Sequence, residues 1–315
     1  MRNQGRHIFV LGAGPVGLVS AWEFLKRGES VTIFEAQDRV GGMCRTWHWG
    51  DFLVDAGPHI FHTPEESLAE YWEQHFGDLF VQGDFWCQNV SGKNFDEYWD
   101  YPISWESISK YDQPLRKKIL SEAAETKSGF GSTATNYSEY IRAQVGVTLE
   151  KMFFKTYPEK VWGIPTTEMT PEWAPKRIEF RNHITPFYHG QWNAVGKYGT
   201  GCVYQRIEEK ITELGGEIKF DHKVTGIEYT EWSLEKIMFS SGASVSLSAN
   251  DIVVSSLPIT VLAKLLGYTS DLSFRGIKSV YLAYDQKQII PGRNQWLYYG
   301  SEEILFNRIT EPKKL

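Results

Sequence analysis

The chain has 315 residues, with 33 Lys and Arg set against 39 Asp and Glu for a formal net charge of −6; that length holds one large or two ordinary domains, and the acidic balance leaves no basic footprint for nucleic acid. No apolar run approaches the ~20 residues of a membrane span, and the polar stretch Met1 to His7 leads straight into an apolar segment, so no signal peptide is expected. Cys44, Cys87 and Cys202 are widely spaced without a C-x-x-C, and the histidines lack an H-x-x-x-H, so neither a disulfide framework nor a metal site is expected and a reducing cytoplasm is the implied setting.

Ile8-Phe9-Val10-Leu11 reads as a parallel strand buried on both faces. It ends in Gly12-Ala13-Gly14-Pro15-Val16-Gly17, a G-x-G-x-x-G turn. Gly12 suits a tight turn, Gly14 lets a pyrophosphate approach the backbone, and Gly17 lets the following helix pack close to the sheet. Pro15 fits the first helical turn. Val16, Leu18, Val19, Trp22 and Leu25 give that helix an apolar side, and Gly28 stops it. A second strand, Val31 to Phe34, delivers Glu35 to its carboxyl end, where an acid can accept the ribose hydroxyls of an adenosine. Strand, turn, helix, strand and acid stand in the order a dinucleotide-binding unit requires.

After Glu35 the chain reads Ala36-Gln-Asp-Arg39-Val-Gly41-Gly42-Met43-Cys-Arg45-Thr46. A glycine pair beside an arginine offers backbone N–H groups and positive charge to phosphate. The pattern resembles the R-x-G-G that follows the acid in FAD-dependent amine oxidases and protoporphyrinogen oxidases, and departs from it at Met43. Next, Gly57-Pro58-His59-Ile60-Phe61-His62-Thr63 resembles the loop that passes the flavin ring in UDP-galactopyranose mutases. The cofactor implied by both resemblances is FAD.

A helix is expected from Pro64 to Phe80, then a hairpin from Phe85 to Tyr101 that turns at Ser91-Gly92-Lys93. Helical spacing follows from Trp105 to Lys127 and from Tyr137 to Tyr157, with Gly129 to Ser132 as a loop. Tyr157-Pro-Glu-Lys-Val-Trp162-Gly163 is similar to the mutases' Y-T-E-K-x-W-G, and Lys176-Arg-Ile-Glu-Phe-Arg181 to their K-R-I-P-V-R. The resemblance places Trp162 and Arg181 at the UDP-sugar. Farther on, a helix striped by Val203, Ile207, Ile211 and Leu214 precedes a strand from Ile218 to Val224, and the resemblance sets Val224 against the adenine. Ile227–Tyr229, Lys236–Phe239 and Ala243–Leu247 read as a meander over the sheet, Asp251–Pro258 as a returning buried strand, and Val261–Leu266 as a helix. Ser279–Tyr284, Gln295–Tyr299 and Ile304–Ile309 read as antiparallel strands. Phe306-Asn-Arg308-Ile-Thr-Glu-Pro-Lys313 resembles the mutases' Y-T-R-I-x-E-H-K, whose arginine contacts the sugar diphosphate.

The fold expected is α/β, a discontinuous doubly wound Rossmann-like FAD/NAD(P)-binding fold with a helical insert and an antiparallel substrate-side sheet. Its parts are 1–101 and 197–272 for the cofactor, 102–158 for the insert, 159–196 for a substrate-side segment and 273–315 for the sheet. The resemblance implies a flavoenzyme acting on a nucleotide sugar in cell-surface polysaccharide synthesis. Gly12, Gly14, Pro15, Val16, Gly17, Glu35, Ala36, Arg39, Gly41, Gly42, Met43, His59, Ile60 and Val224 would hold FAD. Arg181 and Arg308 would clamp the diphosphate, Trp162 would pack the nucleotide or sugar, and His59 and His62 would shape the flavin environment. The alternatives are an FAD-dependent oxidase or desaturase on an amine or other reduced carbon, and a non-catalytic remnant. The resemblance stops at Leu315, short of a segment that contacts flavin in those families, so a homo-oligomer or a complementing C-terminal chain is an expected partner.

Overall fold

The computed structural model describes residues 6–92, 94–126, 133–176 and 180–315. Lys93, Lys127, the loop 129–132 and Arg177-Ile178-Glu179 lie outside the described residues. The chain divides into two units, Met1–Gln82 with Trp192–Leu282 and Gly83–Gln191 with Ala283–Leu315.

The first unit has a parallel sheet whose strands lie in the order Glu217–Lys219, Ser30–Phe34, His7–Leu11, Ile252–Ser255. Side-chain alternation sorts its two faces. Ile8, Val10, Val31 and Ile33 pack with Leu18, Ala21, Val203, Ile207 and Ile211 of the helices Pro15–Lys26 and Gly201–Glu213. Leu11 and Phe34 pack on the other face against Val224, Ile227, Ile237 and Phe239 of a three-stranded antiparallel meander, the rings of Phe34 and Phe239 stacking at 4.4 Å. Covering both faces is what a parallel sheet needs. The mixed α/β Rossmann-like architecture is therefore present, with its strands split around intervening segments.

Several elements differ from the sequence expectation. The strand read over Ile218–Val224 ends at Lys219, because Asp221 turns the backbone at φ 56° and the N–H groups of Asp221 and His222 bond the carbonyls of Gln37 and Glu35. Val224 instead opens the next strand, Val224–Tyr229. Val16 is not on the buried side of its helix but 67% exposed. The Pro64–Phe80 helix is shorter, Glu66–Phe76, followed by a 3₁₀ turn at Gly77–Leu79. Ile252–Ser255 is half-buried rather than buried, as an edge strand with one neighbour. Ser279–Tyr284 forms no strand; Ser279 Oγ and Tyr281 Oη instead donate to the carbonyls of Ala56 and Asp55.

The second unit has a sheet in the order Arg308–Thr310, Trp296–Tyr299, Cys87–Ser91, Glu97–Tyr101. It is mixed rather than antiparallel, since Trp296–Tyr299 runs parallel to Cys87–Ser91. Its helical core gathers Ile103, Ile108, Ile119, Tyr137, Ile141, Val145, Leu149 and Phe153. The expected long helices are broken at caps. Asp112 accepts the Leu115 N–H and starts Gln113–Glu125 after the short helix Trp105–Ser109. In Tyr137–Leu149, Gly146 leaves helical geometry at φ 82°, and the Glu122 carboxylate caps the restart by accepting Thr148 N–H and Oγ1, each at 2.7 Å. A π-helical turn, Glu150–Phe154, then leads to Thr156–Trp162.

Gly17 is a packing glycine: a Cβ built there would stand 1.9 Å from the Gly12 carbonyl oxygen. Gly17→Ala must push the first helix off the sheet and is expected to cost about 1–3 kcal/mol, read as a lowered urea midpoint of cofactor-free protein.

Candidate functional site

In the first unit the two glycine turns meet through backbone. The Gly12 N–H bonds the Phe34 carbonyl and the Gly41 N–H bonds the Ala13 carbonyl, each at 2.8 Å, and a Cβ at Gly42 would lie 3.1 Å from Gly14 Cα. Glu35 closes the arrangement. Its buried carboxylate accepts the N–H groups of Ala13 at 2.7 Å and Gln37 at 2.9 Å, and each oxygen keeps a further lone pair for a hydroxyl.

Gly14 is different in kind from Gly17. Its backbone is extended at φ −74°, ψ 179°, which any residue adopts, and a Cβ there would meet nothing nearer than Gly42 Cα at 3.9 Å. Neither conformation nor protein packing calls for glycine at 14. No side chain caps the helix that begins beside it, so its first N–H groups face outward beside an open backbone. Gly57 also lacks a positive φ, and a Cβ there would meet nothing within 4 Å. Beside the turns, Val16 and Met43 are exposed at 67% and 68%, and Ala36 is exposed.

Arg39 does not lie on the glycine pair; its exposed guanidinium forms two 3.0 Å hydrogen bonds with Asp38. Arg45 takes that place. Its Nε donates to the Gly42 carbonyl at 2.8 Å, and its Cγ would touch a Cβ on Gly41 at 3.1 Å. Arg39, Arg45, Thr46, Gly201, Gln205 and Glu208 line a cleft of about 190 Å³. Burial, then the neighbouring Glu209, raises the Glu208 carboxyl above its usual range. Asp55, also outside the expected site, accepts Thr200 Oγ1 at 2.6 Å, the Thr200 N–H and the Thr46 hydroxyl, while Thr46 Oγ1 accepts the Gly201 N–H at 2.8 Å. One carboxylate thus ties the segment after the glycine pair and the start of the His59 loop to a helix N-terminus. His59 Nδ1 is buried without a hydrogen-bond partner among the described residues. His62 is exposed on the strand Phe61–Thr63, Ile60 is half-buried, and Val224 is buried at a strand start.

In the second unit Arg181 is 9% exposed; its guanidinium donates to Thr185 Oγ1 and the Phe187 carbonyl, each at 2.8 Å, and to the Pro186 carbonyl. Arg308 is exposed and pairs across the strands with Tyr298. Burial pushes the Cys87 thiol well up, while the charges of Arg181 and Arg308 both act to lower it, so both guanidinium groups stand within electrostatic reach of one sulfur. Trp162 ends the helix Thr156–Trp162, 42% exposed and edge-on to Trp173 at 5.5 Å. Beside it in the same motif, Lys160 Nζ donates to the carbonyls of Tyr299, Ser301 and Phe306 at 3.0, 3.1 and 2.6 Å, and desolvation lowers its pKa. Glu159 accepts the Thr166 N–H and Oγ1 at 3.0 and 3.1 Å.

This geometry defines a class: the chain has the fold of the FAD-dependent oxidoreductase superfamily related to UDP-galactopyranose mutases, amine oxidases and protoporphyrinogen oxidases. Residues 10–75 match the NAD(P)-binding Rossmann-like domain family. Among curated proteins the chain is similar to a probable UDP-galactopyranose mutase of Klebsiella pneumoniae, 26% identical over 216 residues that cover 66% of this chain and 53% of that one. A shorter stretch is 36% identical over 130 residues to the L-amino acid oxidase Cdc18 of Crotalus durissus cumanensis, covering 36% of this chain and 26% of the oxidase. The crystal structure of a reduced UDP-galactopyranose mutase superposes with a TM-score of 0.76 at 21% identity, over 98% of this chain and 70% of that one. The chain spans about half the length of the mutase it matches in sequence. No helix among the described residues is long and apolar enough to cross a membrane.

Glu311, six residues into the Phe306–Lys313 motif, holds the preceding loop. Its buried carboxylate accepts the N–H groups of Ile289 and Ile290 and pairs with Lys313 at 3.3 Å. Desolvation raises its pKa, but those backbone hydrogen bonds and Lys313 outweigh it and leave the carboxyl below its usual range. A depressed carboxyl adds stability above its unfolded pKa and loses it as pH falls through the folded value. Glu311→Gln is therefore expected to cost about 1–3 kcal/mol at pH 7, and the difference from the parent should shrink as denaturation curves are taken into the acid range.

Proposed function

We propose that the chain binds FAD at the two glycine turns of its first unit and belongs to a flavoenzyme acting on a nucleotide sugar. The observation that carries the cofactor reading is Gly14, a glycine required by neither backbone angle nor protein packing, placed where a pyrophosphate would need the space. Gly12, Pro15, Val16, Gly17, Gly41, Gly42 and Met43 would form the cradle, with Arg45 nearer to it than Arg39. Glu35 and Ala36 would meet the ribose, Val224 the adenine, and Ile60 and His59 the ring, which gives the buried His59 Nδ1 a partner. When bound, the flavin supplies a nucleophile in its reduced form or a hydride acceptor in its oxidised form. In the second unit Arg308 and Arg181 would attract the sugar diphosphate, Trp162 would pack its nucleoside or sugar, and the carbonyls that hold Arg181 would keep its guanidinium oriented. His62 remains assigned to the flavin side only by its place in the motif.

An oxidase of an amine or amino acid is the second reading, favoured by the 36% identical stretch shared with an L-amino acid oxidase. Dithionite-reduced protein should interconvert ring forms of a UDP-hexose under the first reading. Under the second, added substrate should bleach the flavin and air should restore it.

Gly14→Val separates cradle from fold. Flavin-free protein should keep its circular dichroism and melting temperature, while FAD retention on gel filtration is lost; undiminished FAD binding would overturn the cofactor reading. Arg308→Met should weaken UDP binding by about 1.5–3 kcal/mol, and Arg181→Lys combined with it should fall short of the sum, because two groups on one ligand are coupled. Calorimetry showing parent-like UDP affinity in the double variant would remove the clamp.

A further inference from the structure

In the first unit, the segment of residues 272–282 is apolar and uncovered. Leu272, Phe274, Ile277, Val280 and Leu282 are each 64–82% exposed, and soluble chains leave large apolar side chains clustered at the surface chiefly where something docks. Leu272 and Phe274, and again Val280 and Leu282, stand two residues apart, the spacing of a strand face. The residues between the second pair turn the other way. Ser279 Oγ donates to the Ala56 carbonyl at 3.3 Å and Tyr281 Oη to the Asp55 carbonyl, so these side chains are held on their own unit while Val280 and Leu282 point off it. The main chain is open as well. Residues 273–282 include no proline, and they form no backbone–backbone hydrogen bond among the described residues. A run of free N–H and C=O groups beside alternating apolar side chains is a template for another strand.

The residues that form this template are also complementary to themselves. When two copies run antiparallel about a two-fold axis at Ile277, Leu272 stands opposite Leu282 of the second copy and Phe274 opposite its Val280, while Ile277 meets Ile277 on the axis. The two cations of the segment stay apart: Arg275 faces Ser279 and Lys278 faces Gly276. Neighbouring registers lose this match. A slip of two residues one way sets Lys278 against Lys278, and a slip the other way sets Phe274 against Lys278. We propose that this face docks on a second copy of the same chain, as an antiparallel strand pair centred on Ile277. A different partner would have to bring a matching alternation, whereas a second copy carries it already. Because one patch serves on both sides, the contact closes at two copies. Neither the pairing nor its test involves the flavin or a sugar.

Sedimentation equilibrium of the flavin-free 315-residue chain should show monomer and dimer in exchange at micromolar concentration, with no larger species. Val280→Lys changes an exposed side chain; it should raise the dimer dissociation constant about ten-fold or more, because it sets an unpaired charge against an apolar ring. Adding Phe274→Glu to that variant places opposite charges across both symmetric contacts and should bring the constant back toward the parent's. Ile277→Cys should give a covalent dimer on mild oxidation, while the parent, with its free Cys44, Cys87 and Cys202, should not. If Val280→Lys fails to fold, the Ile277→Cys cross-link decides alone. A parent chain that stays monomeric, or that is covered only by an added foreign polypeptide, overturns the proposal. So does a dimer indifferent to Val280→Lys, or one that Phe274→Glu does not restore.

Discussion

The first unit depends on a contact made without side chains: Gly41 donates to the Ala13 carbonyl while Gly14 and Gly42 approach Cα to Cα. A β-carbon on either turn changes what that junction can do, but in different ways. At Gly42, Gly14 Cα leaves 3.1 Å, and at Gly17 the Gly12 carbonyl leaves 1.9 Å, so those positions are closed by the protein itself. Gly14 is left open by it. The remaining hydrogen bonds of the unit converge on keeping the junction in register. Glu35 ties the first turn to the end of the second strand. Arg45 bonds the second turn, and Asp55 anchors the next residue, Thr46, to a helix start.

The sequence made the first unit legible where the pattern was local. Strand, turn, helix and acid from Ile8 to Glu35 follow one another within reach of neighbouring residues, and period and turn chemistry are enough to read them. What distinguishes Gly14 from Gly17 is not local. Both are positions of one motif, and only the placement of the Gly12 carbonyl and of Gly42 tells the open glycine from the packing one. Arg39 and Arg45 show the same limit in charge. Both flank the glycine pair in sequence, yet Asp38, one residue away, captures Arg39.

The second unit was less legible because its decisive contacts join distant residues. Trp296–Tyr299 was readable as a strand, but its parallel pairing with Cys87–Ser91 links segments some 200 residues apart, which alternation cannot reveal. The helix through Gly146 is broken by a cap from Glu122, on another helix. In the Tyr157–Gly163 motif Glu159 and Lys160 carry the local architecture, while Trp162 stands part-exposed at the helix end. A Lys160 ammonium that meets three carbonyls holds two chain segments together and is costly to desolvate, which is why its pKa falls.

Arg181 illustrates how a structural contact and the binding role proposed for it fit in one side chain. Carbonyl and hydroxyl oxygens meet its Nη1 and Nη2 donors without cancelling its charge, because those partners are dipoles and not anions. The field that remains is felt at the Cys87 thiol, where Arg308 adds to it from another strand. A guanidinium held in this way keeps its geometry before any ligand arrives. A cation that does not have to be reoriented loses little side-chain freedom when an anion comes within reach, and that is the condition under which charge becomes affinity. The loop of residues 185–187, whose oxygens hold Arg181, therefore shares in the binding role proposed for the arginine.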